Sequence, residues 1–500
     1  MKLIYDVQDK PKAGQIIVFA LQQLLAIMAA TIAVPGVVNQ VTGSHMTPSA
    51  ALFGAGVGTI VYLLFTKFRS PVFLGSSFAF LGSMFTAFAG AFAMSNEELG
   101  FLGLIAGAVF AGLVYAVLAL IVKLVGTKWI DVLMPAVVIG PTVAIIGLSL
   151  AGNAVGDAVR GAAENTAADL KGYVGFICAF VTLIVVVVCS TYGKRMAKLI
   201  PFIIGIGAGY VVAMGFTVLG ILFKIESFQV IDFTPFKNLV ADGVTLKTFF
   251  AVPEFSFLKG ITGIQNAIKG VKEAADPVIY KQDILLYFVS VLVAYVPVAF
   301  VVFAEHLADH KNLSSIIEKD LLKEPGLHRT LLGDGIGSMA GALFGGCPNT
   351  TYGESIGCVA ITGNASIVTI LTAALFAIGV SFFSPFMAFL SSIPSCVMGG
   401  VCITLYGFIA VSGLKMIQKA DLGDSANLFT VSVILICGIG GLAFTFGKVK
   451  ITSIATALIL GIIVNLILRW SQKKKAAAPV TEGAADSAEP VEPAAEQTEE

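Results

Sequence analysis

Three carboxylates stand where lipid would oppose their charge. Glu305, Asp309 and Glu354 lie within or at the edge of apolar runs long enough to enter a bilayer. An ionisable side chain there costs about 2.5 kcal/mol or more, so it lines a protein interior or a substrate path and has a partner. Glu305 and Asp309 belong to Phe303-Ala304-Glu305-His306-Leu307-Ala308-Asp309-His310. Four residues apart, they share one helix face, where like charges oppose simultaneous ionisation and favour a retained proton. The pair is therefore a candidate proton carrier. In the other reading Glu305 is a structural carboxylate bonded to a neighbouring helix, and Asp309 and His310 mark the helix end at the cytoplasmic interface.

Glu354 lies in Pro348-Asn349-Thr350-Thr351-Tyr352-Gly353-Glu354-Ser355, which does not read as an ordinary span. Pro348 disfavours helix at Cys347, Thr350 and Thr351 are β-branched, and Gly353 permits close approach at a strand-to-helix junction. Helix is expected to resume through Ser355, Ile356 and Cys358. The first N–H groups of that helix have no intrahelical partner and point into whatever cavity adjoins them. Donors beside an acceptor carboxylate suit a neutral, planar ligand with alternating N–H and C=O groups. Phe78, in Pro71-Val72-Phe73-Leu74-Gly75-Ser76-Ser77-Phe78-Ala79-Phe80, offers an aromatic face for stacking such a ligand, and Tyr352 offers a second; the alternative for both is plain packing.

The elements that must hold these groups are membrane spans. Of the 500 residues 57% are hydrophobic and 12% charged, with mean hydropathy +0.92, too apolar for a soluble core. Apolar runs recur from Gln15 to Leu468, and at about 20 residues per span they give fourteen. The expected fold is an all-α polytopic membrane protein. Its parts are a cytoplasmic N-terminus (1–14), a first seven-span repeat (15–223), an extracellular loop (224–282), a second seven-span repeat (283–470) and a disordered acidic cytoplasmic tail (471–500). No cleavable signal peptide is read in the polar start. An odd span number per half inverts the halves, and the Pro71–Phe80 and Cys347–Glu354 interruptions fall about 60 residues into each. Paired interruptions of this kind point to a midplane binding site. With both termini inside, 20 of the 31 basic residues fall on the cytoplasmic side. The seven cysteines show no close-set metal spacing and are read as packing residues. No metal, cofactor or nucleic-acid partner is expected.

The strings Ala304-Glu305-His306, Lys319-Asp320-Leu321-Leu322-Lys323-Glu324-Pro325-Gly326-Leu327-His328-Arg329 and Pro348 to Glu354, with Gly75 to Phe80, resemble the nucleobase/ascorbate transporter family, in particular its bacterial uracil permeases. The likeness runs from about residue 10 to 470, apart from most of the central loop. It implies two inverted sevens, short antiparallel strands in spans 3 and 10, core and gate domains, proton symport, a homodimer and the bacterial plasma membrane. By position it implies that Glu305 and Glu354 hydrogen-bond a nucleobase ring. The backbone N–H groups of Phe78 and Gly353 would meet its carbonyls, Ala30, Phe78 and Tyr352 would line the pocket, and Glu305 and Asp309 would couple the proton. The chain departs from the pattern twice. Asp309 replaces a histidine of the uracil branch, as in the purine branch, and Gln22-Gln23 replaces Gln-His in the first span. Glu354 in place of the purine members' amide favours uracil over xanthine.

The expectation is thus a proton-coupled nucleobase importer working by alternating access, carrying uracil or xanthine. The alternative keeps the fold and makes it an anion transporter or channel, which should present basic residues where this chain presents acids. An intramembrane protease should show Gly-x-Gly-Asp or Gly-x-Ser-Gly. Leu331-Leu332-Gly333 precedes Asp334 and Ala410-Val411 precedes Ser412, so no enzyme is expected.

Overall fold

Helices begin where the sequence supplies caps. Asp276 accepts from the N–H groups of Val278 and Ile279 at 2.9 and 3.2 Å ahead of Pro277, Asn96 accepts from Leu99 N–H, and Asp424 from Ala426 N–H. The computed structural model describes residues 3–159, 170–194, 196–241, 243–274, 276–418, 420–446 and 449–477. Most of the expected acidic tail, from residue 478 on, lies outside them. Among the described residues nine helices are long and apolar enough to cross a membrane: Ala13–Thr42, Pro48–Phe65, Glu97–Val125, Ala136–Ala158, Tyr173–Tyr192, Pro201–Phe223, Pro277–Ile317, Ser395–Ile417 and Ser453–Ser471. Phe78–Ala93, Ile367–Ser381 and Ser425–Ile439 are shorter apolar helices. The Pro277–Ile317 helix has 41 residues and Pro297 in its interior. At 1.5 Å per residue it is about 60 Å long, roughly twice the hydrocarbon thickness, so part of it stands clear of the lipid.

A ladder of glycines brings two of these helices together. Gly54 and Gly58 of Pro48–Phe65 face Gly337, Gly341 and Gly345 of Leu327–Gly345, at spacings of four residues. A Cβ on Gly58 would sit 2.7 Å from the Gly337 carbonyl oxygen, and one on Gly345 2.6 Å from that of Ala50. Small residues at this spacing let backbones approach closely where no hydrophobic effect drives helices together. Gly346, at φ 74°, then ends the second helix in a left-handed cap and turns the chain into Cys347-Pro348.

Beyond that cap lies a two-stranded sheet. β1, Leu74–Ser76, pairs antiparallel with β2, Asn349–Thr351, in the register Leu74 with Thr351, Gly75 with Thr350 and Ser76 with Asn349. Bonds from Tyr352 N–H to Phe73 O and from Ser77 N–H to Pro348 O lengthen the ladder at both ends. Every strand residue is buried. Non-helical backbone at such depth survives only if protein satisfies its polar groups. Here the Thr59 hydroxyl accepts from Leu74 N–H at 2.9 Å, Ser355 Oγ from Phe73 N–H at 3.0 Å, and the Tyr352 hydroxyl donates to Ser76 O at 2.7 Å. The Asn349 amide donates to Gly54 O, tying the sheet to the glycine ladder.

The helices form two packed groups. Ala13–Thr42, Pro48–Phe65, Leu81–Ala93, Glu97–Val125, Pro277–Ile317, Leu327–Gly345 and Ile367–Ser381 pack mainly with one another around the sheet. Ala136–Ser149, Leu170–Tyr192, Pro201–Phe223, Ser395–Ile417, Ser425–Ile439 and Ser453–Ala477 form the second group. The 224–282 segment is folded rather than loose. Ala251 N–H bonds Phe382 O, Phe255 meets Phe53 at a tilt and Phe344 edge-on, and the Ser256–Glu273 helix lays Gly260, Gly263 and Ala267 against Glu97–Val125.

Residues 4–9 form a strap. Ile4 N–H bonds Gly363 O, Ala365 N–H bonds Tyr5 O and Ile367 N–H bonds Val7 O. Lys319 meets Asp6 at 2.5 Å, and its hydrogen bond holds the Asp6 carboxyl below the usual carboxylate range. A lowered carboxyl pKa stabilises the folded form above that range and ceases to do so as pH falls through it. Lys319→Ala should therefore speed proteolytic nicking of residues 4–9 at neutral pH by up to about fivefold, the limit for an exposed pair. The difference between variant and parent should vanish on acidification; equal rates at pH 7 would show the pair to be idle.

Candidate functional site

β2 runs through Tyr352 into the Gly353–Thr362 helix, whose first turn contains Glu354. Three residues earlier, Thr351 Oγ1 donates to Asp309 Oδ2 at 2.8 Å. That bond fastens the Pro277–Ile317 helix, which bears Glu305 and Asp309, to the strand that leads into Glu354. Glu305, Ala308 and Asp309 are half-buried on one face of this helix, while Ala304, His306, Leu307 and His310 are buried. Glu354 is half-buried and Gly353 exposed, and a Cβ on Gly353 or Gly357 would touch nothing within 4 Å. The carboxyls of Glu305, Asp309 and Glu354 lie close enough to interact electrostatically.

A cavity of about 760 Å³ separates Ala304, Leu307, Ala308 and Asp309 from Met134–Ala136, Ile139 and Ser412–Met416, between the two helix groups. Lys311, Asn312, Ser315 and Lys415 stand along it toward the C-terminal ends of their helices. Asp309 is thus both bonded to the sheet and open to this cavity.

The other expected residues are placed less openly. Phe78 begins the turn Phe78–Phe80, is buried, and meets Tyr406 of the second helix group edge-on at 5.7 Å. Tyr352 is buried, its hydroxyl committed to Ser76 O and its ring lying where a side chain on Gly75 would be. Ala30 is buried in Ala13–Thr42 beside Thr31, which also abuts Gly75. The sheet therefore gathers Phe78, Tyr352 and Ala30 around itself, Asp309 lines the cavity, Glu305 and Glu354 are half-buried and Gly353 is exposed.

Structure and expectation differ at His310. It does not mark a helix end, because the helix continues to Ile317, and it is wholly buried with Nε2 2.7 Å from the Tyr62 hydroxyl. Leu313 and Ile317 keep a buried stripe going past it. Sequence reasoning also missed three partners. Gln23 donates its amide to Ser355 Oγ, Thr351 holds Asp309, and Asp334 meets His306. Two histidines four residues apart in an apolar run were the available signal for the last of these.

The Permease family profile matches residues 14–446. The chain is 38% identical over 471 residues to the uracil permease of Bacillus caldolyticus, covering 93% of this chain and 95% of that one. It is 36% identical over 479 residues to the uracil permease of Bacillus subtilis (strain 168), covering 95% and 97%. Among solved structures, the transmembrane domain of the cyanobacterial bicarbonate transporter BicA superposes with a TM-score of 0.54 at 15% identity, covering 91% of this chain and 97% of that domain, a likeness of fold alone. These relatives are named as transporters rather than enzymes, and the nine apolar helices make this a multi-pass membrane protein. The chain belongs to the Permease family.

Proposed function

We propose that this protein imports a nucleobase, uracil first and xanthine second, together with a proton, by alternating access across the bacterial plasma membrane. The observation that carries the reading is the Thr351–Asp309 hydrogen bond, which joins the helix bearing Glu305 and Asp309 to the strand that leads into Glu354. Glu305 and Glu354 accept from the ring N–H groups, and the backbone N–H groups of Gly353 and Phe78 donate to its carbonyls. Phe78, Tyr352 and Ala30 bound the pocket. Relatives that carry the name uracil permease over more than nine-tenths of the chain support uracil as substrate.

The fold proposed is fourteen spans. To the twelve apolar helices described above, Leu327–Gly345 and Gly353–Thr362 add two, giving seven before Lys224 and seven after Asp276. The group around the sheet serves as core and the other as gate, with both termini cytoplasmic and the protein a homodimer. The cavity past Asp309 opens beside Lys311 and Lys415, on the side with most basic residues, which supports an inward-open state. A proton on Asp309 or Glu305 changes the charge facing the gate, and so biases the two states unequally, as coupling requires. The fold likeness to a bicarbonate transporter domain does not make an anion the cargo, since three carboxylates around one space repel it.

Radiolabelled uracil uptake in cells lacking their own permease, with xanthine as competitor and a protonophore control, tests this reading. Uptake of bicarbonate or sulfate without uracil would reverse it. Asp309→Asn should flatten the pH dependence of uptake while uracil affinity changes by less than about threefold, because Asp309 sits one helical turn from Glu305 rather than on the Gly353–Thr362 helix. An unchanged pH profile would return Asp309 to a structural role.

A further inference from the structure

Behind the acids, the same helix carries polar groups that the transport reading leaves unused. His306 and His310 each follow an acid by one residue, and so lie about 100° around the axis from Glu305 and Asp309. Neither has any solvent exposure. His306 Nδ1 is 2.7 Å from Asp334 Oδ2, and Nε2 is 3.0 Å from Thr330 Oγ1, both on Leu327–Gly345. His310 Nδ1–H donates to the His306 carbonyl at 2.8 Å, leaving Nε2 as an acceptor beside Ser70 Oγ at 3.3 Å and the Tyr62 hydroxyl at 2.7 Å, which itself donates to Ser70 Oγ. The two rings stack at 4.0 Å.

The proton count is constrained. Thr330 donates its hydroxyl hydrogen to Leu327 O, so its oxygen accepts from His306 Nε2–H. One further proton then lies between His306 Nδ1 and Asp334 Oδ2. On whichever atom it sits, the couple has no net charge, which suits a site with 0% and 1% side-chain exposure.

We propose that His306 and His310 are positioning residues that fix the rotation of the Pro277–Ile317 helix about its axis, and with it the direction in which Glu305 and Asp309 face the hollow. The acid-bearing face offers little grip of its own. Ala304 and Ala308 are small, and Thr351 supplies the hydrogen bond from the sheet to Asp309. Pro297, eight residues before Glu305, takes one backbone bond out of the helix, so the segment beyond it can turn. A carboxylate about 6 Å from the axis moves about 2 Å for a 20° rotation, and reacting or binding groups displaced by 1 Å can lose about a hundredfold.

The inference rests on the nucleobase reading for its functional consequence, and its test separates the two. An Ala308→Cys reporter on the acid face is labelled with a charged maleimide in detergent-purified protein, against the background of the parent chain. Adding His306→Ala should change the labelling rate at least about fivefold and weaken uracil binding at least about tenfold. His306→Asn, which can still donate toward Asp334, should restore both to within about threefold. If His306→Ala yields no folded protein, Tyr62→Phe, which removes the hydroxyl that contacts both His310 and Ser70, should still shift the labelling rate by at least about twofold. Absence of uracil binding by the parent protein would sink the nucleobase reading and leave the labelling result to be judged by itself. Unchanged labelling in folded His306→Ala, or in Tyr62→Phe where the former does not fold, would overturn the positioning role.

Discussion

Glu354→Gln is expected to abolish uracil uptake while the protein reaches the membrane in normal amount. A carboxylate offers only acceptors, and two ring N–H groups need acceptors. The amide replaces one oxygen with an NH2 that faces a donor, so a bond is lost and a donor is left opposed. Hydrogen bonds to charged groups are worth about 1.5–3 kcal/mol, which corresponds to about 10- to 150-fold in affinity before any repulsion is counted. Folding should be spared, because Glu354 is half-buried beside open space at Gly353 and Gly357. Uptake and membrane abundance measured on the same cells decide the matter. Preserved uptake would remove Glu354 from the binding site.

Gly54→Val should have the opposite profile, with little or no folded protein to assay. The first atoms its Cβ would meet are backbone, the carbonyl of Gly341 and the N–H of Gly345, and backbone cannot rotate away as a long side chain can. Overpacking commonly costs about 1–3 kcal/mol, and forcing apart two helices joined by a glycine ladder should exceed that range. The same shift would pull Asn349 from Gly54 O and loosen β2. Thermal unfolding followed by size-exclusion chromatography reads the effect, with Gly353→Ala as a control whose new methyl meets nothing. A monodisperse Gly54→Val protein of parental stability would refute the ladder.

The site was legible where chemistry shows in local sequence. Pro348, the β-branched threonines and Gly353 foretold the break before Glu354, and the four-residue spacing of Glu305 and Asp309 foretold a common face. What one stretch touches elsewhere was not legible, because periodicity defines a face and not its partner. Thr351 bonding Asp309, Gln23 bonding Ser355 and Asp334 meeting His306 all join segments far apart in the chain. His310 misled because polar residues at the end of an apolar run look like an interface, whereas the buried stripe carries on through Leu313. Within 224–282, the small residues Gly260, Gly263 and Ala267 form the packing face of a helix, a role that composition alone does not reveal.

The sheet's pairing also dictates an order of events at the ribosome. Ser76 and Tyr352 are 276 positions apart, so at about 5–20 residues per second the first strand is made roughly 15 to 55 seconds before its mate. Until then the amides and carbonyls of Phe73 to Ser77 that β2 will pair, unlike Leu74 N–H, which Thr59 already accepts, face hydrocarbon that cannot satisfy them, at several kcal/mol for each group. A nascent chain ending before residue 349 must keep this stretch at the lipid surface or in the shelter of the insertion machinery.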